Sequence, residues 1–306
     1  MAVILDTNRQ TTWSAIGTDV DMSTTVDEVL ETAKLNYEVV KQGIYLPDGR
    51  EIIGKKATVN PETGKVYGIV SDSYQICQNK DAFQFIANID DKLSFVKAGE
   101  TATGMVYIIA RLDDVTVLGD TFTPYVIFQN GHNGNFTLKT TICPLRIVCN
   151  NQFAMSFRNS SNNITIRHFS RLESQMREAE MLLKNTATYM KNFNEYAEEL
   201  ANVKVHNEYD IIRHFFEQAN KDKEPTERQL RTIEDKVEAL YSTYKNTPDN
   251  ANFQGTAWGL LNGFTDYNTH LLPQRKTDTS AENRFTTVTM DPRVINHFMQ
   301  YVMDHV

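Results

Sequence analysis

Apolar and polar residues alternate with two different periods in the first half of the chain. Val26, Val29 and Leu30 recur at helical spacing behind Thr25, which has the spacing of a capping box with Glu28. Between residues 39 and 71 the period becomes two, and turn signals separate short β-type runs. The pattern predicts one helix followed by a meander of antiparallel strands. The predicted segments are a helix over 26–35 and strands over 39–46, 51–59 and 65–71.

A second group of strands follows a short predicted helix. Asn79 is a suitable N-cap for that helix, because asparagine side chains accept hydrogen bonds from the first unpaired backbone N–H groups. The residues Gly-His-Asn-Gly at 131–134 give the strongest hairpin signal in the sequence. The strands predicted around this hairpin cover 105–112, 125–129 and 136–148.

From residue 172 onward the pattern becomes helical. Nine positions of one predicted helix, 172–200, alternate steps of four and three, and eight of them are apolar. Such a stripe packs either within the same chain, as in an ordinary amphipathic helix, or against a second subunit, in which case the chain is a homo-oligomer. The nine positions are Leu172, Met176, Ala179, Leu183, Thr186, Met190, Phe193, Ala197 and Leu200.

The rest of the C-terminal part adds helices and no strands. Helices are predicted over 208–219, 226–244, 253–270 and from 292 onward, with a polar loop over 273–283. We therefore predict an α+β fold in which an antiparallel β-meander with packed helices is followed by a helical C-terminal half. The predicted division is an α+β domain over 1–171 and a helical region over 172–306, packed on that domain or extending from it.

Composition and charge narrow the class of protein. With 41% hydrophobic and 23% charged residues, the 306-residue chain has the balance of a soluble globular protein and lacks the run of about eighteen apolar residues that a membrane span needs. The first ten residues do not have the basic start and long apolar core of a secretion signal, so we expect a cytoplasmic protein without a membrane partner. The net charge of −8 opposes binding of polyanions by the whole surface, so a nucleic acid would need a local patch.

The sequence contains no motif that specifies a reaction or a cofactor. The patterns GxxxxGK[ST], GxGxxG and HExxH are absent, and the three cysteines have no CxxC spacing. Cys149 with His132 or His168 has the residue types of a thiol nucleophile and its base, although a buried cysteine beside a hairpin is the simpler interpretation. We assign no catalytic residue, no metal ligand and no cofactor.

One stretch of the chain contains no aspartate or glutamate. It runs from Thr121 to Leu172, where about seven acidic residues would be expected from the overall frequency of 39 in 306. Its cations and histidines are Lys139, Arg146, Arg158, Arg167, Arg171, His132 and His168.

Two interpretations of this acid-free segment stay open. Core strands exclude carboxylates, which explains residues 125–129 and 136–148. Residues 158–171 are mostly polar, and there the absence of acids favours a local positive potential that suits phosphate groups. Asparagines and aromatic rings in the same segment suit bases and sugars.

Six short motifs, taken in order, resemble a single family. They lie at residues 13–17, 68–75, 129–134, 146–151, 167–168 and 255–263, so the resemblance spans nearly the whole chain. Among them are Gln-Asn-Gly-His-Asn-Gly at 129–134 and Arg-Ile-Val-Cys-Asn-Asn at 146–151. Together they resemble the phage/plasmid-like protein family, formally a domain of unknown function (932). The resemblance implies a cytoplasmic role on bacterial mobile elements, in DNA maintenance or in conflict with the host, and supplies no reaction.

The functional hypothesis is a nucleic-acid-binding protein of a phage or plasmid, which binds or anneals single-stranded DNA in replication or recombination. The layout is also similar, at the level of fold only, to single-strand annealing proteins. The alternative is an anti-defence or other host-protein-binding factor without catalytic activity. The residues assigned to nucleic acid are Lys139, Arg146, Arg158, Arg167 and Arg171 for phosphates and His168 for stacking on a base.

Overall fold

Two antiparallel sheets form the first half of the chain and helices the second, which confirms the predicted α+β class. The computed structural model describes residues 9–134, 138–157, 161–165, 172–218, 225–273 and 276–306, and only the backbone of 172–176. The strands are β1 (Thr18–Asp19), β2 (Val40–Tyr45), β3 (Glu51–Val59), β4 (Val66–Ser71), β5 (Ser94–Glu100), β6 (Met105–Arg111), β7 (Val115–Val117), β8 (Asp120–Gly131), β9 (Lys139–Arg146), β10 (Asn151–Gln152) and β11 (Asn163–Thr165). The helices are α1 (Val26–Thr32), α2 (Asn79–Phe83), α3 (Leu172–Asn202), α4 (Glu208–Glu217), α5 (Glu227–Asn246), α6 (Ala257–Asp266), α7 (Ser280–Phe285) and α8 (Arg293–Asp304).

The large sheet has the strand order β1-β5-β6-β8-β9-β10, with β7 paired to β8 and β11 paired to β9. The hairpin between β7 and β8 turns at Leu118 and Gly119, whose positive φ angles of 48° and 86° suit a two-residue turn between antiparallel strands. This pairing explains why β8 begins at Asp120, five residues before the predicted strand over 125–129. Sequence patterns also missed β5, which pairs with β6 along its whole length.

The small sheet is the predicted meander, in the order β2-β3-β4. One of its faces lies against the end of the β8–β9 hairpin, where a Cβ on Gly68 would lie 2.9 Å from the carbonyl oxygen of Asn133. A Cβ on Gly134 would lie 2.9 Å from Cγ1 of Val70. These close approaches need glycine on both sides of the contact.

Helix α1 begins as the sequence predicts. The Thr25 hydroxyl accepts a hydrogen bond from the Glu28 backbone N–H, and the backbone N–H of Thr25 donates one to the Glu28 carboxylate, which completes the capping box. The helix ends at Thr32, three residues before the predicted end, because Lys34 adopts a left-handed conformation with φ 55°.

The stripe of α3 is buried within the chain. Of its seven members whose side chains the structure describes, six are buried and Leu183 is half-buried. These buried side chains are therefore not exposed for contact with a second subunit. At these positions α3 packs within its own chain, as an ordinary amphipathic helix does. The buried members are Ala179, Thr186, Met190, Phe193, Ala197 and Leu200.

One hydrophobic cluster joins the large sheet to the C-terminal helices. Phe122 and Phe153 from the sheet side pack with Phe193 of α3 and Trp258 of α6, and the rings of Phe153 and Trp258 are stacked with centroids 5.9 Å apart. The core therefore crosses the predicted division between residues 171 and 172.

The C-terminal helices differ from the prediction in two places. Helix α7 begins at Ser280, within the predicted polar loop 273–283, and extends past it to Phe285, which packs on Tyr107 of the sheet with ring centroids 5.1 Å apart. Two π-helical turns, Tyr267–Leu271 and Thr286–Met290, follow α6 and α7. No helix within the described ranges is long and apolar enough to cross a membrane.

Candidate functional site

The structure describes two of the six residues assigned to nucleic acid. Arg158, Arg167, His168 and Arg171 lie outside the described residues. Lys139 and Arg146 are the first and last residues of β9, so at the rise of a β-strand they lie roughly 23 Å apart. The described part of the chain therefore does not bring these two cations into one groove.

Arg146 is an internal residue with an exposure of 1%. Its guanidinium donates two hydrogen bonds to Oδ2 of Asp120, at 3.0 and 2.5 Å, and two to Asp249, at 2.7 Å to Oδ2 and 2.8 Å to the backbone carbonyl. A fifth goes to Oδ1 of Asn262 at 3.1 Å. Since arginine has five N–H groups, none remains for a phosphate, and we withdraw Arg146 from the nucleic-acid interface.

These contacts are part of a buried polar junction between the sheet and the helices. Oδ1 of Asn151 lies 3.2 Å from Nε2 of His270, and the same nitrogen lies 3.1 Å from the carbonyl oxygen of Cys149. The Asn151 amide also donates to the carbonyl of Asn262 at 3.5 Å. The junction therefore connects the motif at 146–151 with the motif at 255–263.

Two glycines in the motif at 255–263 allow α6 to pack closely beside this junction. A Cβ on Gly259 would overlap the carbonyl group of Phe253, and a Cβ on Gly263 would lie 2.8 Å from Cβ of Tyr244. Only glycine permits this approach between α6 and the end of α5, and the approach places Asn262 beside Arg146.

Asp266, at the end of α6, is a further carboxylate of the junction, and unlike Asp120 and Asp249 it is fully buried. Its Oδ2 accepts a hydrogen bond from Nη1 of Arg9 at 2.5 Å, whereas its Oδ1 has no hydrogen-bond partner among the residues that the structure describes. Burial raises the pKa of this carboxyl to about 6, although the Arg9 guanidinium acts in the opposite direction. Sequence reasoning did not find Asp249 and Asp266, since no local pattern marks a carboxylate that will be paired across the fold.

Lys139 has a different environment from Arg146. Its side chain is half-buried, burial lowers the pKa of its ammonium, and no carboxylate within the described ranges pairs with it. It is aligned with Gln129 of β8 and Thr165 of β11 on one face of the sheet. Nearby on this face, the Gln129 amide donates to the Thr141 hydroxyl at 2.7 Å, and that hydroxyl donates to Oδ1 of Asn163 at 2.8 Å.

The polar junction and Lys139 both lie in a region that matches a known protein family. One family model, described as Domain of unknown function (DUF932), matches residues 66–289, which is most of the chain. The chain belongs to this family. No curated protein and no solved structure matches it. The polar junction and Lys139 lie within the DUF932 match, whereas β2, β3 and α8 lie outside it.

His132 and Cys149 do not form a catalytic pair in this DUF932 chain. His132 is buried, and its Nε2 lies 3.0 Å from Oδ1 of Asn79. Because that oxygen is an acceptor, Nε2 carries the proton, and burial lowers the pKa of the ring to about 4. Burial also raises the pKa of the Cys149 thiol well above its usual range, which keeps the thiol protonated and unreactive. His168 lies outside the described residues.

The described part of the acid-free segment is mainly core. Nearly all residues of β8 and β9 are buried, so exclusion of carboxylates from a core explains their composition. Within the described ranges no group of three or more histidine, cysteine, aspartate or glutamate side chains is arranged to hold a metal ion. The anion-binding interpretation therefore depends on Lys139 and on Arg158, Arg167 and Arg171, which lie outside the described residues.

Proposed function

We propose that this DUF932 chain is a nucleic-acid-binding protein without catalytic activity, and that single-stranded DNA is its ligand. The observation that carries the proposal is the half-buried ammonium of Lys139, which has no carboxylate partner within the described ranges. A partly desolvated cation without a counter-charge is unfavourable, and an arriving phosphate relieves that cost.

The surroundings of Lys139 support the same proposal. The 52 residues from Thr121 to Leu172 contain no carboxylate to repel a phosphate, although the whole chain has a net charge of −8. Such a local change of sign is what a phosphate track on an acidic protein requires. The half-buried Asn163 and the exposed Thr165 lie near Lys139 on the same face, and their amide and hydroxyl groups are of the kind that contact sugars and bases.

The proposal assigns further phosphate contacts to Arg158, Arg167 and Arg171, and stacking on a base to His168. It places the protein in the cytoplasm of a bacterial cell, encoded by a phage or plasmid, in replication or recombination. Annealing of complementary single strands is the specific activity that we propose.

A salt titration of single-stranded DNA binding, followed by fluorescence anisotropy, tests the proposal. The logarithm of the binding constant falls with the logarithm of salt concentration with a slope of about −0.7 for each phosphate contact on a single strand. We expect replacement of Arg158, Arg167 and Arg171 by glutamine to reduce that slope by about 2.

The control variant replaces three exposed cations outside the segment, Lys80, Arg228 and Arg231, by glutamine. It changes the net charge equally, so its slope separates a local track from the charge of the whole chain. No binding at low salt, or equal slopes for the two triple variants, would refute the proposal.

A second candidate function is binding of a host protein without catalysis, for example as an anti-defence factor. It is favoured by an acidic surface around Met22, which is 88% exposed and lies among the exposed carboxylates of Asp19, Asp21 and Asp27. Pull-down from host lysate with and without nuclease distinguishes the two functions. A nucleic-acid binder loses its associated proteins after nuclease treatment, whereas a direct protein partner stays bound.

A further inference from the structure

A groove of about 670 Å³ lies where the large sheet meets α3. Its apolar lining comes from both the sheet side and the helix, and it includes four half-buried side chains that are in part accessible. These four are Leu93, Leu112, Val115 and Leu183. Leu183 is the described member of the α3 stripe that is not fully buried, and it lines this groove. Grooves of this size with an apolar lining are typical ligand sites. We call this site the β7 groove.

The β7 groove lies at a free strand edge. Phe122 of β8 pairs with Val115 on one side and with Arg146 of β9 on the other, so β7 continues the line of β6 in the sheet. The next line is that of β5, but β5 begins at Ser94, opposite the last residue of β6. The chain before it forms the 3₁₀ turn Asp90–Lys92. In the described part of the chain, β7 therefore has a strand neighbour on one side only.

Thr116, in the middle of β7, turns its backbone groups to this free edge. The two-residue turn at Leu118 and Gly119 makes Val117 and Asp120 the first hydrogen-bonded pair of the hairpin. Hydrogen-bonded and non-hydrogen-bonded pairs alternate along an antiparallel ladder, so the N–H and C=O of Thr116 point away from β8. Thr116 lines the groove, is exposed, and forms no backbone hydrogen bond there with any described residue. Such an edge is a template for another extended chain.

The charges around the β7 groove are balanced. Two acidic and two basic side chains line it, all of them exposed: Asp91, Asp113, Lys92 and Lys191. Since their formal charges cancel, the groove has no excess of one sign that would attract a polyanion over a distance. Backbone hydrogen bonds and apolar contacts are the interactions that the groove offers, and these are the ones that bind an added strand.

We propose that the β7 groove binds an extended peptide segment of a partner protein, which joins the large sheet as a strand beside β7. The main chain of the peptide pairs with the N–H and C=O of Thr116. Val115 and Val117 lie on the face of β7 that packs against α3, and successive side chains of a strand point to opposite faces. The bound segment therefore has apolar residues at every second position, toward Leu183, and polar residues between them. This inference does not depend on the proposed DNA binding.

Fluorescence anisotropy of the full chain with labelled nine-residue peptides tests the proposal. The set has valine, leucine, isoleucine or phenylalanine at alternate positions and threonine or lysine between them. The control peptide has the side chains of the best binder but methylated backbone nitrogens, so it lacks the N–H donors that pair strands. We expect the parent peptide to bind and the methylated peptide to bind at least about tenfold more weakly. Binding of the parent should change little with salt concentration, unlike binding of DNA.

Two pairs of variants locate the binding site. Thr116→Pro removes the outward N–H and keeps the hydrogen bonds of Val115 and Val117 to β8, whereas Thr116→Val keeps the N–H. Ala187→Arg places a long side chain in the groove at an exposed position of α3, and Thr188→Arg adds the same charge at the next residue, outside the lining. Thr116→Pro and Ala187→Arg should each weaken peptide binding at least about tenfold, and their partners should bind like the wild type.

Hydrogen exchange of the Thr116 amide, followed by NMR, reports the proposed contact directly. The peptide should slow this exchange at least about tenfold, because the N–H then donates to the added strand instead of to water. The amide of Asp48, in the exposed turn between β2 and β3, should exchange at the same rate with and without the peptide.

Four results would overturn the inference. These are no binding by any peptide of the set, equal binding of the methylated peptide, an equal loss in Thr188→Arg and Ala187→Arg, or unchanged exchange at Thr116. Pairing of two copies of the chain through β7 in place of peptide binding, seen by sedimentation velocity, would also overturn it. Circular dichroism establishes that each variant is folded, and the results with the methylated peptide and with Thr116 exchange need no variant.

Discussion

At the scale of single residues, the two described cations of the acid-free segment have opposite roles. Arg146 is saturated by Asp120, Asp249 and Asn262, whereas Lys139 has no carboxylate partner within the described ranges. The sequence alone shows that both residues are cationic, because charge depends only on the residue type. It could not predict that Asp249, 103 positions away, would pair with Arg146, because that pairing exists only in the folded chain.

Arg146→Met should destabilise the fold. The change leaves the carboxylates of Asp120 and Asp249 without their cation in a largely buried site, which costs about 3–5 kcal/mol of the free energy of unfolding. Urea denaturation measures this loss. Adding Asp249→Asn to the variant should recover part of it, since one uncompensated charge is removed. A loss below about 1 kcal/mol would contradict the assignment of Arg146 to an internal ion pair.

Asp266 should make stability depend on pH. Its pKa is raised to about 6 in the folded chain, so the folded state binds this proton more tightly than the unfolded state, in which the pKa is about 3.9. The contribution of Asp266 therefore becomes more favourable as the pH falls from above 6 to about 4, by about 3 kcal/mol, and changes little above that window.

The comparison with Asp266→Asn isolates this effect, because asparagine does not titrate. The stability of the wild type relative to the variant should rise as the pH is lowered from 7 to 4, as measured by urea unfolding at each pH. A difference that stays constant with pH, or that changes in the other direction, would contradict the raised pKa.

At the scale of elements, the predictions succeeded where the deciding interactions are local. The capping box of α1 is formed by residues three positions apart, and the meander is marked by its own turns. Helix α7 was missed because its six residues lack a periodic pattern, and they are held by the packing of Phe285 on Tyr107. The stripe of α3 was visible in the sequence, but the surface that it contacts was not.

Gly68→Ala should loosen the contact between the small sheet and the hairpin. The added Cβ would lie 2.9 Å from the carbonyl oxygen and 3.0 Å from the Cα of Asn133, so a backbone would have to move. We expect a loss of about 1–3 kcal/mol in the free energy of unfolding, measured by urea denaturation. Substitution of Ser73 by alanine, on an exposed position near the end of the same strand, serves as the control. Equal stability of the two variants would contradict this packing.

At the scale of the whole molecule, the α+β class followed from the sequence, because the period of the apolar pattern changes from two to that of a helix. The shared core did not follow from it. Phe122 and Phe153 pack with Trp258, which lies more than a hundred residues further along the chain. Membership of the DUF932 family agrees with the motifs at 129–134, 146–151 and 255–263, and the structure shows that the last two meet at one junction.

The candidate site was predicted only in part. The absence of carboxylates marks the segment from Thr121 to Leu172, yet most of its described residues belong to buried strands. Composition cannot separate a buried strand from a phosphate track, since both exclude acidic residues. The burial of the side chains distinguishes a buried strand from a phosphate track. Of the two described cations of the segment, Lys139 is the one that remains suited to bind an anion.

The proposed function depends on a contact between Lys139 and a phosphate of single-stranded DNA. The most direct test measures the salt dependence of DNA binding for Lys139→Gln beside Lys80→Gln, an exposed lysine outside the segment. We expect the slope of the Lys139→Gln variant to be smaller in magnitude than that of the wild type by about 0.7, with no change for Lys80→Gln. Identical slopes for Lys139→Gln and the wild type would contradict it.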